Sequence, residues 1–444
     1  MSKPFISQMV EVTTELFIPI SSMTDNKKLF IDWNEKTKEF YNLYSTYFIE
    51  AISSFLYEDT KWYHKLLKTK AVLSCQGIDY EIENKQYNIF ISEGNIVCFP
   101  TQAYLILKIH ATGVPDDICA INSSLTSLDS RSKHIQIEVE GKKQTILNYA
   151  NELLAPINHE VTSSVSKVFG YSLLEVDDET FINNNNPYLP VFKNFFQLAA
   201  GERLLEKECK DALWQFASRI QTFSLCGSIT IIDTSKPFNK NHYKRYHHSL
   251  YRDLTLMALY QIDFLNKISL ELSDVENLIL KRKLIIYFRK LFLNFTNKAW
   301  FSHISLRPQA QLLWDRWQSQ FQSEHLYNDI TTQLEQLTGF IQQDRSWWLS
   351  VGLGLLTLVS WGPVFTANIQ PRDASTFLHY AILIPCITLP VLVGLLIKSD
   401  KLRGFFYKWR FHSIQKSVFK QQTKNRKNRM YDSAFSLTKK RREG

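Results

Sequence analysis

The densest group of side chains able to bind or titrate lies at residues 241–253, which read NHYKRYHHSLYRD. His242, His247 and His248 are candidate ligands. Lys244, Arg245 and Arg252, interleaved with Tyr243, Tyr246 and Tyr251, have the chemistry to hold a phosphate or a base. The reading the sequence favours is a solvated loop leading into a helix, with a binding site as the alternative. A second group, at residues 297–317, is rich in Trp and Gln and includes Trp300, Phe301, Gln309, Gln311, Trp314 and Trp317. Aromatic packing between stalk helices accounts for it better than a ligand site does.

A third pattern lies further on. Ser350, Gly354, Thr357, Trp361, Val364 and Asn368 recur at three- to four-residue spacing and so share one face of a helix. Small and hydroxyl-bearing residues on one face suit close helix packing, or a narrow pore lined by several copies of the chain. One such helix per subunit cannot enclose a pore, so the pore reading requires an oligomer. The chain holds no P-loop, no G-x-G-x-x-G, no G-x-S-x-G and no H-E-x-x-H. The reading is therefore that it is not an enzyme and carries no cofactor. No metal ligand set is assigned.

The elements that must position these residues begin with two apolar runs. Residues 347–367 are 21 residues without a charge. At 1.5 Å per residue they reach about 31 Å, the thickness of a bilayer's hydrocarbon core. Trp347 and Trp348 stand at the start, where indole favours the interface. Residues 377–397 form a second uncharged run, followed by Lys398, Lys401 and Arg403. Two membrane-crossing helices joined by the nine-residue outer loop 368–376 are expected.

Charge supports this layout. The chain carries 52 Lys and Arg against 43 Asp and Glu, but residues 398–444 alone hold 15 basic and 3 acidic side chains. The remainder is slightly acidic. The basic excess is thus a tail next to a membrane run, which by the positive-inside rule lies in the cytoplasm, and no nucleic-acid partner is expected. Cys75, Cys98, Cys119, Cys209, Cys226 and Cys386 include no C-x-x-C pair and read as reduced thiols. No apolar leader is read at the start. The expected location is a cytoplasmic (inner) membrane, crossed twice, with both termini on the cytoplasmic side.

In front of the runs the pattern is mixed. Helical periodicity occupies residues 34–56. Strand patterns fall at 71–75, 87–92, 96–99, 104–111, 134–140 and 227–233, with Glu93-Gly94-Asn95 expected as a hairpin turn. Residues 146–154 read as a helix, and 183–187 as a loop. From about His247 onward helices take over. Ser273 and Glu276 have capping-box spacing, Pro308 suits a first helical turn, and Leu326, Ile330, Leu334, Leu337 and Ile341 continue an apolar stripe towards Trp347. The fold class expected is an α+β cytoplasmic domain followed by long stalk helices and two transmembrane α-helices. Its divisions are 1–245 mixed domain, 246–346 helical stalk, 347–367 first span, 368–376 loop, 377–397 second span and 398–444 basic tail.

This plan resembles that of the CorA-type divalent cation transporter superfamily, over about residues 250–409. The resemblance implies a homo-oligomer, in that family a pentamer, whose first span lines a pore for divalent cations such as magnesium. The family carries Gly-Met-Asn at the outer end of that span. Here the stretch reads Trp361-Gly362-Pro363-Val364-Phe365-Thr366-Ala367-Asn368 and the motif is absent. Divergent relatives of this architecture act as membrane effectors in bacterial defence, with a soluble domain that senses a nucleotide. Three functions therefore stand as expectations. The first is a CorA-like conductor of divalent cations in the lipid bilayer. The second is a ligand-sensing membrane effector that takes a nucleotide through His242, Lys244, Arg245, His247 and Arg252. The third is a membrane-anchored scaffold.

Overall fold

A computed structural model describes residues 10–20, 47–75, 88–113, 135–139, 141–155, 161, 168–176, 213–216, 219–225, 227–273 and 282–368. Ten strands form one mixed sheet, in the order β6-β5-β2-β3-β4-β1-β7-β10-β9-β8. They are β1 Val10–Ile20, β2 Lys61–Cys75, β3 Asn88–Cys98, β4 Ala103–Gly113, β5 Ile135–Val139, β6 Lys142–Thr145, β7 Phe169–Val176, β8 Leu213–Phe216, β9 Arg219–Thr222 and β10 Gly227–Asp233. All neighbours are antiparallel except β7 and β10.

The chain divides into two compact units. The first comprises residues 1–270 and 291–330, the second residues 271–290 and 331–444. The sheet lies wholly in the first. β1 runs between β4 and β7 and is buried on both faces. Side chains alternate along a strand. Val12, Leu16, Ile18 and Ile20 therefore point to one side. There they join Leu105, Leu107 and Ile109 of β4 and Ile229 and Ile231 of β10 in an apolar core. Helix α1 (Ile146–Leu154) covers this side with Ile146, Tyr149, Ala150 and Leu154. Thr145 caps it by accepting from the Asn148 amide at 3.3 Å. Thr13, Glu15 and Phe17 of β1 point to the other side and are also buried.

Helices follow the last strand. The segments Asn239–Tyr243, Lys244–Tyr246 and His247–Tyr251 form a helical run whose first and last turns are π-helical. It leads into α2 (Arg252–Ser273), followed by α3 (Arg282–Ala299), α4 (Pro308–Phe321) and α5 (Ser323–Asn368). Pro308 occupies the first turn of α4, and left-handed Gln322 ends that helix before α5 starts. α5 is 46 residues long and contains both Leu326 and the run from Trp347. Among the residues whose side chains are described, no helix is long and apolar enough to cross a membrane; those of 355, 356 and 358–368 in α5 are not among them. The side chains of residues 358–368, the loop, the run 377–397 and the basic tail lie outside the described residues. So do the capping-box position Glu276, the loop 183–187 and most of the early helix expected at 34–56.

Two expectations need correction. Glu93-Gly94-Asn95 is not a hairpin turn: β3 passes straight through it, paired with β2 on one side and β4 on the other. The register shifts between Ile91 and Glu93. That bulge changes the strand's phase by one residue, which puts Ile96 on the same apolar face as Ile89 and Ile91. A polar triplet inside a bulged strand mimics turn chemistry. The second correction concerns residues 241–253, which form a packed helical segment rather than a solvated loop.

Gly227 faces Gly170 across the parallel β7–β10 pair. A Cβ there would sit 2.4 Å from the Gly170 carbonyl oxygen, a backbone atom that cannot move aside. Gly227→Ala is expected to destabilise the full chain by about 1–3 kcal/mol through overpacking. A urea unfolding midpoint followed by tryptophan fluorescence checks this, and an unchanged midpoint contradicts it.

Candidate functional site

The polar residues of the fold concentrate where the second face of β1 and β7 meets the helical run. Glu15 is 2 % exposed. Its Oε1 accepts from His248 Nδ1 at 3.0 Å, and Arg252 Nε lies 3.8 Å from Oε2. Arg252 donates through Nε and a terminal nitrogen to Asp253 Oδ1, both at 3.0 Å. Asp253 Oδ2 accepts from the Tyr57 hydroxyl at 3.1 Å. The network therefore joins the central strand, the helical run, the start of α2 and the π-helical turn Phe55–Asp59. Two acids and one fixed cation share this buried space, with His248 as the titratable fourth member.

The electrostatics follow from that packing. Burial pushes the Glu15 carboxyl up, but Arg252, His248 and Lys108 together outweigh it and hold it below its ordinary value. Burial pushes Asp253 up to about 6 against the pull of Arg252 and the Tyr57 hydrogen bond. Burial opposes charge on Arg252 as well, and Asp253 and Glu15 more than restore it.

Aromatic rings fill the space around the network. His247 is fully buried and stacks on Tyr171 at 4.2 Å and 13°. Phe17 stacks on Phe169 at 5.7 Å. Trp317 of α4 meets Phe169 edge-on at 5.5 Å and donates to Thr255 Oγ1 at 3.1 Å. The Arg219 guanidinium lies 4.4 Å from the Tyr243 ring centroid. A second polar row crosses β4. His110 bonds Thr13 at 3.3 Å and Ser92 at 2.9 Å, and Lys108 pairs with Glu93 at 3.6 Å.

The five candidate ligand residues do not form one site. Arg252 belongs to the buried network, and His247 packs beside it on the Tyr171 ring. Lys244 is engaged with Glu175 of β7 at 2.6 Å. His242 and Arg245 are exposed, and His242 sits beside the Phe238 ring at 5.8 Å. Glu15, Asp253, Tyr57 and Tyr171 were not singled out from the sequence. The signal available was Glu15 itself, a charge inside the otherwise strand-like VEVTTELFIPI. Among the described residues no group of three or more His, Cys, Asp or Glu is placed to hold a metal ion.

The Trp- and Gln-rich segment is packing. Trp300 stacks on Tyr327 at 4.4 Å, and Trp314 donates to the Phe301 carbonyl at 3.1 Å. Gln311 accepts from the Ile304 amide at 2.9 Å and donates to the Ser302 carbonyl at 3.1 Å. On α5 the face from Ser350 is exposed at Ser350, Gly354 and Thr357. Ser350 donates to the Ser346 carbonyl at 2.9 Å, and Thr357 to the Leu353 and Gly354 carbonyls at 3.0 and 2.7 Å. The side chains of Trp361, Val364 and Asn368 lie outside the described residues. No family model, curated protein or solved structure matches this chain.

The network makes an acid-sensitivity prediction. Glu15 is held low, so its stabilising contribution is fully present above about pH 4.5 and is lost as pH falls through its lower folded value. Asp253 has the opposite sign, because its raised value lets the folded chain take up a proton between about pH 6 and 3.8. The diagnostic is therefore a difference between wild type and Glu15→Gln. The variant is expected to show a shallower loss of stability below pH 4.5 in urea unfolding of the full chain. Parallel pH profiles contradict the assignment.

Proposed function

We propose that the chain is a homo-oligomeric membrane protein of CorA-like plan that conducts a divalent cation, magnesium foremost, along its first apolar helix. Its mixed domain and both termini lie in the cytoplasm. The observation that carries this reading is α5: 46 residues of continuous helix that hold the whole uncharged run 347–367. At 1.5 Å per residue the helix is about 69 Å long, more than twice a hydrocarbon core. Trp347, Leu349 and Leu353 are 47, 67 and 64 % exposed on the single chain. Lipid or neighbouring copies of the chain would cover such large apolar groups.

The chemistry of the face suits a hydrated ion. The Ser350 and Thr357 hydroxyl hydrogens are already donated to carbonyls of their own helix. Those two hydroxyls then leave no unsatisfied donor in a low-dielectric medium. A face without charge leaves a cation much of its water shell. Magnesium gives up that shell reluctantly, so a hydrated path is the physically economical one for it.

The second reading, a ligand-sensing membrane effector, has its own support in the helical run. Buried polar atoms there lack hydrogen-bond partners among the described residues, including both ring nitrogens of His247 and Nε2 of His248. Groups left in that state suit a segment that changes its packing on receiving a signal. A nucleotide is the candidate signal on this reading.

Cysteine substitution tests conduction. Positions 357 and 368 are 11 residues apart, about three turns, and share a face; positions 355 and 358 lie about 200° and 100° round the helix from 357. In a Cys386→Ser background, a water-soluble thiol reagent is expected to block cation flux at Thr357→Cys and Asn368→Cys and to leave Leu355→Cys and Leu358→Cys conducting. Equal effects at all four positions, or no flux in any background, contradict the pore and leave the effector or scaffold reading.

A further inference from the structure

We propose that the helical run Asn239–Tyr251 is an acid-released clasp, held on the sheet by the uncharged ring of His247 and freed when that ring takes a second proton. The proposal does not depend on conduction. His247 is fully buried, and neither of its ring nitrogens has a hydrogen-bond partner among the described residues. What holds it is the face-to-face stack on Tyr171 of β7 at 4.2 Å. A neutral imidazole tolerates such a place at the cost of one unmet donor and one unmet acceptor. An imidazolium brings two donors and a full charge, and nothing there meets them.

The surrounding charges sharpen the effect. From β7 the ring faces the Tyr171 phenol. From β1, Glu15 directs its carboxylate to His248 and Arg252. From its own run, Tyr243 lies 6.2 Å away and His248 5.1 Å. Asp253 at the start of α2 is bound by Arg252 and Tyr57. Both carboxylates are thus turned to other partners, Glu15 Oε2 only through the 3.8 Å ion pair with Arg252, while His248 and Arg252 oppose a charge on His247. Burial first, then these two neighbours, push the imidazole well below its ordinary value. The π-helical turns at Asn239–Tyr243 and His247–Tyr251 are irregular geometry of a kind common at functional sites, and the second contains His247.

The sign follows directly. Released into water, His247 titrates near its ordinary 6.5. Below that pH the released run binds a proton that the docked run refuses, so acid favours release. Docking is strongest above about pH 6.5 and weakens as pH falls towards the low folded value. Asp253 works the other way below about pH 6, since docking raises its affinity for a proton. The quantity to read is therefore the difference between wild type and a variant that lacks only the His247 titration.

The experiment is hydrogen exchange by mass spectrometry on the full chain in detergent, from pH 7.5 to 5.0, corrected for intrinsic exchange rates. Protection of the run is referred to β4. Relative to His247→Phe, which keeps an aromatic stack, wild type is expected to lose about threefold in protection between pH 7 and 6 and nearly tenfold more between pH 6 and 5. His247→Gln gives the same comparison with a polar group that does not titrate, should the Phe variant fail to fold. Superimposable pH profiles for wild type and variant overturn the proposal.

Discussion

A carboxylate stands in the middle of the central strand with no water to solvate it, and the arrangement of the first unit follows from meeting its needs. Glu15 can stay ionised there only with partners at hand: Arg252 supplies a fixed positive charge and His248 a hydrogen bond. Arg252 must in turn be matched, which Asp253 does with two hydrogen bonds. Asp253 then requires Tyr57. Removing one member of such a group leaves another buried and unpaired, at a cost of about 3–5 kcal/mol. The register of the helical run on the sheet is therefore set by charge, whereas the opposite face of β1 is apolar apart from the buried Thr14–Ser172 hydrogen bond at 3.0 Å.

The aromatic rings stabilise what the charges orient. Tyr171, Phe169 and Phe17 lie along β7 and β1, and His247, Trp317 and Phe321 press on them from the helices. Thr255 links the two sets, accepting from Trp317 and donating to the Tyr251 carbonyl. These ion pairs and ring stacks all lie in the unit that contains the sheet.

Much of this was legible before the structure, and the rest failed for physical reasons. Residues 146–154 and 227–233 show plain periodicity and form α1 and β10 at those same bounds. β1 and β7 escaped notice because strands buried on both faces do not alternate between apolar and polar. Glu15, Thr13 and Thr14 further disguise β1 as a surface segment. The pairing of Glu15 with His248 joins residues 233 apart, and no local pattern encodes it. The 241–253 cluster was visible as chemistry, but its division into buried His247, half-buried Arg252 and exposed His242 and Arg245 depends on which face of the helix meets β7.

The direct test of the buried charge network is a double-mutant cycle on Glu15 and Arg252, using Glu15→Ala, Arg252→Ala and the double variant, with urea unfolding of the full chain at pH 7 as readout. If the two side chains act as one buried unit, each single change destabilises strongly and the double change costs far less than their sum, a coupling of about 2–3 kcal/mol. Strictly additive effects would show that Glu15 and Arg252 do not act on each other, and that the helical run is held by ring packing instead.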